Sequence, residues 1–209
     1  VIRLSGMNIV VNEMDHSLII KVASIQSARM QVYFIDNEDY FQRKNMFRDI
    51  SGTFFEDNDE RAIFFARGVL ETIKKLRWSP DIVHINGWLS SLVPLYIKKS
   101  YREDPIFHES KVVVSIFDDQ FYENLHSEMM RKVKYDGFNE KDIKHISIAN
   151  YVNIMKLAID NSEGVIQASE QINSELKDYA IKTGKPFLDY QTEETQVEAY
   201  SAFYLSLIH

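Results

Sequence analysis

The stretch KVVVSIF, residues 111 to 117, carries four β-branched residues in seven and no polar alternation. A strand with one solvated face alternates apolar and polar residues, so a continuous apolar run reads as a strand buried on both faces. Such a strand needs a layer on each side of its sheet. The flanking sequence supplies the elements. DIVHIN (81–86) reads as a second short strand, LSSLVPLYIKKSY (89–101) as a helix with Pro94 in its first turn or at a kink, and KDIKHISIANYVNIMKLAIDN (141–161) as a helix. EGVIQAS (163–169) is a third strand and EQINSELKDYAIKTG (170–184) a helix that ends at Gly184. A last amphipathic helix follows in TEETQVEAYSAFYLSLI, with apolar residues at 197, 200, 203, 204 and 207.

Strands alternating with helices of this length predict an α/β fold with a mostly parallel sheet, right-handed crossovers and ligands beyond the carboxyl ends of the strands. Three strand ends then share one rim: Asn86 to Trp88, Asp118 with Asp119, and Ser169 with Glu170. Before this region, NIVVN, SLIIKVAS and MQVYFID predict a β-meander or hairpin. NDERAIFFARGVLETIKKLRW has helical spacing, with Asn58 or Asp59 as N-cap and Pro80 as the stop. No repeat or linker divides residues 1–209, so one domain is expected.

Composition narrows the function. With 24 basic against 31 acidic residues the net charge is −7. The basic clusters Lys74, Lys75, Arg77 and Lys132, Lys134 read as solvated helix faces rather than a nucleic-acid surface. The chain has no cysteine, which removes thiolate metal sites and cysteine nucleophiles. No apolar run approaches the ~20 residues that span a bilayer, no secretory signal is visible, and a cytoplasmic location with no membrane partner is expected. The chain begins at Val1 and reads as a fragment. Its seven glycines are isolated, so no GxGxxG or phosphate loop exists to hold a diphosphate. The histidines lack metal-ligand spacing, and neither a metal nor a cofactor is expected.

Three stretches could carry chemistry. In DIVHINGW, Gly87 relieves a tight turn and Trp88 offers a flat face for stacking on a sugar, while His84 and Trp88 can equally be core residues. Asp118 and Asp119 can bind hydroxyls or cap a helix. Asp57 and Asn58, in FEDNDER, can hold sugar hydroxyls or satisfy free helix amides.

These pieces occur together in one family. VYFIDNEDYFQR (32–43), FEDNDERAIFFARGVLE (55–71), WSPDIVHINGWLSSLVPLYIK (78–98), KVVVSIFDDQFY (111–122) and VNIMKLAIDNSEGVIQASEQINSEL (152–176) resemble the N-terminal catalytic domain of bacterial glycogen synthases and plant starch synthases. The resemblance implies one Rossmann-like, three-layer half of a two-domain glycosyltransferase. Such enzymes move glucose from ADP-glucose to an α-1,4-glucan in the cleft between the halves. It places substrate-binding roles on Asp57, Asn58, His84, Asn86, Trp88, Asp118 and Asp119.

The departures are as specific. The family's H-x-H-D-W reads His84, Asn86, Gly87, Trp88, and its T-(I/V)-H-N reads SIFDD, with Phe117 and Asp118 replacing the histidine and asparagine. An amide can hydrogen-bond a hydroxyl but cannot act as an ionisable imidazole. The family's glycine-rich loop and its C-terminal nucleotide-binding domain are not in these 209 residues. The expectation is therefore a glucosyltransferase-type domain that binds an α-glucan and is inactive alone, engaging ADP-glucose only with a separate C-terminal-type chain. The alternatives are a non-catalytic glucan-binding or regulatory module, and a homo-oligomer built on exposed aromatics.

Overall fold

The structure is a computed structural model that describes residues 2–209. Strands β1 (Ile2–Val11), β2 (Met14–Ile25) and β3 (Met30–Asp36) form an antiparallel sheet in the order β1-β2-β3, as the meander reading predicts. Asn12 and Glu13 join the first two strands with φ of 50° and 65°, the positive pair that a two-residue hairpin requires. One face of the sheet buries Ile9, Val11, Leu18 and Ile20. Asn37 caps the short helix α1 (Glu38–Phe41), its side chain accepting from the amides of Asp39 and Tyr40.

That buried face packs on α2 (Asn58–Leu76), whose apolar positions fall every three or four residues. Gly68 sits at the contact, where an added Cβ would lie 2.9 Å from Ile35 Cγ2. The sequence reading puts the N-cap at Asn58 or Asp59; the structure puts it one residue earlier, at Asp57. The Asp57 carboxylate makes no bond to the helix amides, because Arg43 takes both its oxygens.

The second sheet is parallel, in the order β4 (Ile82–Asn86), β5 (Lys111–Ile116), β6 (Gly164–Gln167), β7 (Phe187–Leu188). Its strand β5 is buried on both faces. On one side, Val112, Val114 and Ile116 join a continuous core shared with the antiparallel sheet and α2. On the other, Val113 and Ile166 meet Phe203 of a late helix. The fold is α/β, with one antiparallel sheet, one parallel sheet and flanking helices.

Between β4 and β5 the helix predicted over 89–101 is present but irregular: a 3-10 turn at Trp88–Ser90 leads through helical Ser91 and Leu92 into α3 (Val93–Leu95), which continues without a break as a π-turn at Tyr96–Ser100. Pro94 lies in the first turn of α3, and Tyr101 N–H reaches back to Tyr96 O at 2.8 Å, an i to i+5 bond. After β5 come α4 (Met129–Lys134), α5 (Glu140–Ile143) and α6 (Tyr151–Asp160). The single helix expected over 141–161 is thus split. Ile148 is extended and Asn150 starts α6 afresh, its side chain accepting from Asn153 N–H. After β6, α7 (Ser174–Lys182) begins at its cap Asn173, later than expected, and α8 (Glu193–Ile208) ends the chain. Lys132 is also not on a solvated face: it is buried, with its ammonium 2.9 Å from both Asp59 and Glu60.

Candidate functional site

The carboxyl ends of β4, β5 and β6 do share one rim. Gly87, at φ +82°, turns the chain out of β4 into the Trp88–Ser90 turn, a conformation that an L side chain rarely adopts. Asp119, after β5, fixes that turn from the side. Its Oδ2 accepts the Trp88 amide at 3.2 Å and its Oδ1 the Tyr151 hydroxyl at 2.7 Å. Burial raises the Asp119 carboxyl above its ordinary range, and these two donors only partly offset it. Burial and the neighbouring Asp119 charge raise the Tyr151 phenol as well. Asp118 points to solvent, while its backbone N–H donates to Ser169 Oγ at 2.9 Å and ties the ends of β5 and β6 together.

A cavity of about 420 Å³ opens at this rim. Phe47, Phe65, Trp88 and Phe117 line it, with Asn86, Asp119 and Ser90 as its polar members, the Ser90 hydroxyl being spent on the Asn86 and Gly87 carbonyls. Asn86 is exposed, and among the described residues its amide meets only the His84 carbonyl, at 3.4 Å, so its hydrogen-bonding capacity is largely free. The Trp88 ring is enclosed: Phe47 lies 4.5 Å, Phe121 4.9 Å and Phe54 6.0 Å from its centroid. Apolar walls with a few placed polar groups are the usual make-up of a small-molecule site.

The remaining predicted residues lie elsewhere. His84 is on the opposite face of the sheet, under α8, with Nε2 2.6 Å from Ser115 Oγ and Nδ1 2.5 Å from Tyr204 Oη. Burial pushes its pKa down to about 4, so it is neutral near pH 7. Asp57 and Asn58 brace the base of a hairpin formed by residues 47–55. Asn58 is fully buried; its Nδ2 donates to Phe47 O at 3.1 Å and its Oδ1 accepts from Arg61 at 2.6 Å. The site thus brings together Asn86, Trp88 and Asp119 with Asp118 beside them. Sequence reasoning passed over Phe47, Phe65 and Tyr151. The aromatic content of the 36–58 loop was a signal for the first; nothing local marked Tyr151.

Comparison with known proteins agrees with this architecture. A family model of the starch synthase catalytic domain matches residues 2–186. The glycogen synthases of Chlorobium luteolum and Chlorobaculum tepidum are each 41% identical over 117 residues, which is 56% of this chain and 24% of theirs. The chain therefore spans about a quarter of the length of these relatives. Among solved structures, the catalytic domain of starch synthase IV from Arabidopsis thaliana, bound to ADP and acarbose, superposes with a TM-score of 0.68 at 15% identity, covering 91% of this chain and 40% of that one. The fold is accordingly the Rossmann-like half seen in glycosyltransferases of this type, and the chain belongs to the starch synthase catalytic domain family.

Proposed function

We propose that this chain is the acceptor-side half of a glucosyltransferase that moves glucose from ADP-glucose to an α-1,4-glucan, and that alone it binds the glucan without turnover. The rim cavity supports this reading most directly. It offers aromatic faces for the apolar side of a sugar ring, with the free Asn86 amide and the Asp119 carboxylate for hydroxyls. Among the described residues no lysine or arginine lines it, and Asp119 and the adjacent Asp118 repel a diphosphate. Stabilising a departing ADP needs cationic donors aimed at the developing charge, and a complementing donor half would bring them. The Arabidopsis structure is bound to both ADP and acarbose, the classes of ligand this proposal assigns to the complete enzyme.

Calorimetric titration with maltoheptaose, together with an ADP-glucose turnover assay, tests the proposal. Expected are binding heat and no turnover. Absence of binding sinks the glucan assignment, and turnover by the isolated chain sinks the half-site. The replacements at Asn86, Gly87, Phe117 and Asp118 favour a second reading, a glucan-binding module without chemistry. Transfer activity on adding a donor-half chain in trans decides for the half-site; binding that persists with no transfer decides for the module.

A further inference from the structure

We propose that Arg48 and Glu123 form a positioning latch that holds the 47–55 hairpin against the loop after β5 and so fixes the Phe47 wall of the cavity over Trp88. The ligand of that cavity rests on the function proposed above; the latch itself rests on geometry.

The hairpin is rigid within itself. Phe55 N–H donates to Phe47 O at 3.0 Å and Asp49 N–H to Thr53 O at 2.9 Å. At the tip, Asp49 Oδ1 accepts from the amides of Ser51 at 2.8 Å and Thr53 at 3.0 Å. Its base is fixed by Asn58 and by Arg43, which pairs with Asp57 and lies 4.6 Å from the Phe55 ring centroid. What the hairpin needs is a fixed angle to the rest of the molecule.

Two kinds of contact set that angle. Aromatic rings make the first: Phe47 lies on Trp88, and Phe54 stacks on Phe121 at 5.0 Å. Such surfaces attract strongly but can slide, because dispersion and burial have little directionality. The second contact is directional. The Arg48 guanidinium engages both oxygens of Glu123 as a fork, one of them at 2.9 Å. The same guanidinium donates to Gly52 O at 3.2 Å across the hairpin and lies 5.2 Å from the Phe54 ring. Arg48 thus touches the hairpin turn, the aromatic wedge and the rim loop at once.

The consequence is local to the cavity. Met46 and Phe47 come from the hairpin side, and Trp88, Phe117 and Asp119 from the rim. With the fork broken, the hairpin can rock on its aromatic contacts and open the wall over Trp88. The latch side chains are 40% and 41% exposed, so salt reaches them. Pairing with Arg48 also pulls the Glu123 pKa down to about 2, so the latch stays charged through the neutral range.

Trp88 reports the wall directly. The protein has two tryptophans, Trp78 and Trp88, and Trp78→Phe leaves Trp88 as the sole emitter. In that background, acrylamide quenching of Trp88 is expected to be low. Arg48→Met and Glu123→Gln should each raise it about threefold, consistent with loss of a water-excluding contact, with an unchanged far-UV spectrum as the folding control. Arg48→Lys, which keeps the charge without the fork, should fall between. Raising salt to about 1 M, where the Debye length is about 3 Å, should increase quenching in the parent and not in Arg48→Met. Quenching unchanged in Arg48→Met, or raised there but not in Glu123→Gln, overturns the latch. Maltoheptaose should bind Arg48→Met about threefold to tenfold more weakly, through faster dissociation. If the parent binds no maltoheptaose the glucan reading falls, while the quenching series still decides the latch.

Discussion

Asp119 stands between Trp88 and Tyr151, accepting the backbone amide of the first at 3.2 Å and the hydroxyl of the second at 2.7 Å. One half-buried carboxylate therefore fastens the turn after β4 to the first turn of α6. Asp119→Ala leaves the Trp88 amide without its acceptor, which should cost about 1–3 kcal/mol, while the Tyr151 hydroxyl can still donate to Phe117 O at 3.2 Å. Urea unfolding checks this. Because burial raises the folded pKa, the stabilising contribution of Asp119 is complete below the ordinary value of about 3.9 and is lost as pH rises through the raised one. Asp119→Asn lacks that titration and should gain on the parent in urea midpoint as pH rises above about 4.

His84 titrates with the opposite sign. Its folded pKa of about 4 lies below the unfolded value near 6.5, so the stability it contributes is present above about 6.5 and lost as pH falls toward 4. The parent should lose urea resistance through this window, and His84→Gln should show a smaller loss. Tyr204→Phe removes the hydroxyl at Nδ1 and should cost about 0.5–1.5 kcal/mol, the usual net worth of a hydrogen bond.

Lys132 reaches from α4 to α2, and its partner Asp59 is fully buried. Lys132→Met leaves that carboxylate uncompensated, and breaking a buried pair on one side costs about 3–5 kcal/mol. Thermal unfolding should show a large drop in midpoint, and Asp59→Asn in the Lys132→Met background should recover part of it.

Gly68→Ala adds a methyl 2.9 Å from Ile35 Cγ2 and 3.2 Å from Leu18 Cδ1. Helix propensity favours alanine by about 1 kcal/mol, whereas overpacking costs about 1–3 kcal/mol. The overpacking should win, and equilibrium unfolding should find the variant less stable.

Much of this fold was legible because the signal was local. The apolar run of β5, the hydrophobic period of α2, and positions 200, 203, 204 and 207 of α8 all describe faces that are in fact packed. The spacing places Val197 on the same face of α8, yet it is 77% exposed, since the helix lies on the sheet only through its later turns. The split at Ile148 has no local signal, because neither glycine nor proline stands there. The two-residue β7 is too short to show a period. At the site, strand ends predicted the shared rim, yet His84 left it by strand alternation: it points to the face opposite Ile85, toward α8. The contacts that shape the cavity, Arg48 to Glu123 and Asp119 to Tyr151, join residues far apart in sequence. No spacing rule reaches that distance.

Gly164 in β6 lies where an added Cβ would fall 2.8 Å from Phe203 Cζ, so α8 is seated directly on the backbone of the parallel sheet. The family match stops at residue 186, ahead of that helix. An expression boundary drawn at the end of the match would strip the cover from Val113, Ile166 and His84 together, turning a sheet interior into an adhesive surface. For anyone producing this protein, the last sixteen helical residues belong to the folding unit as much as the strands they cover.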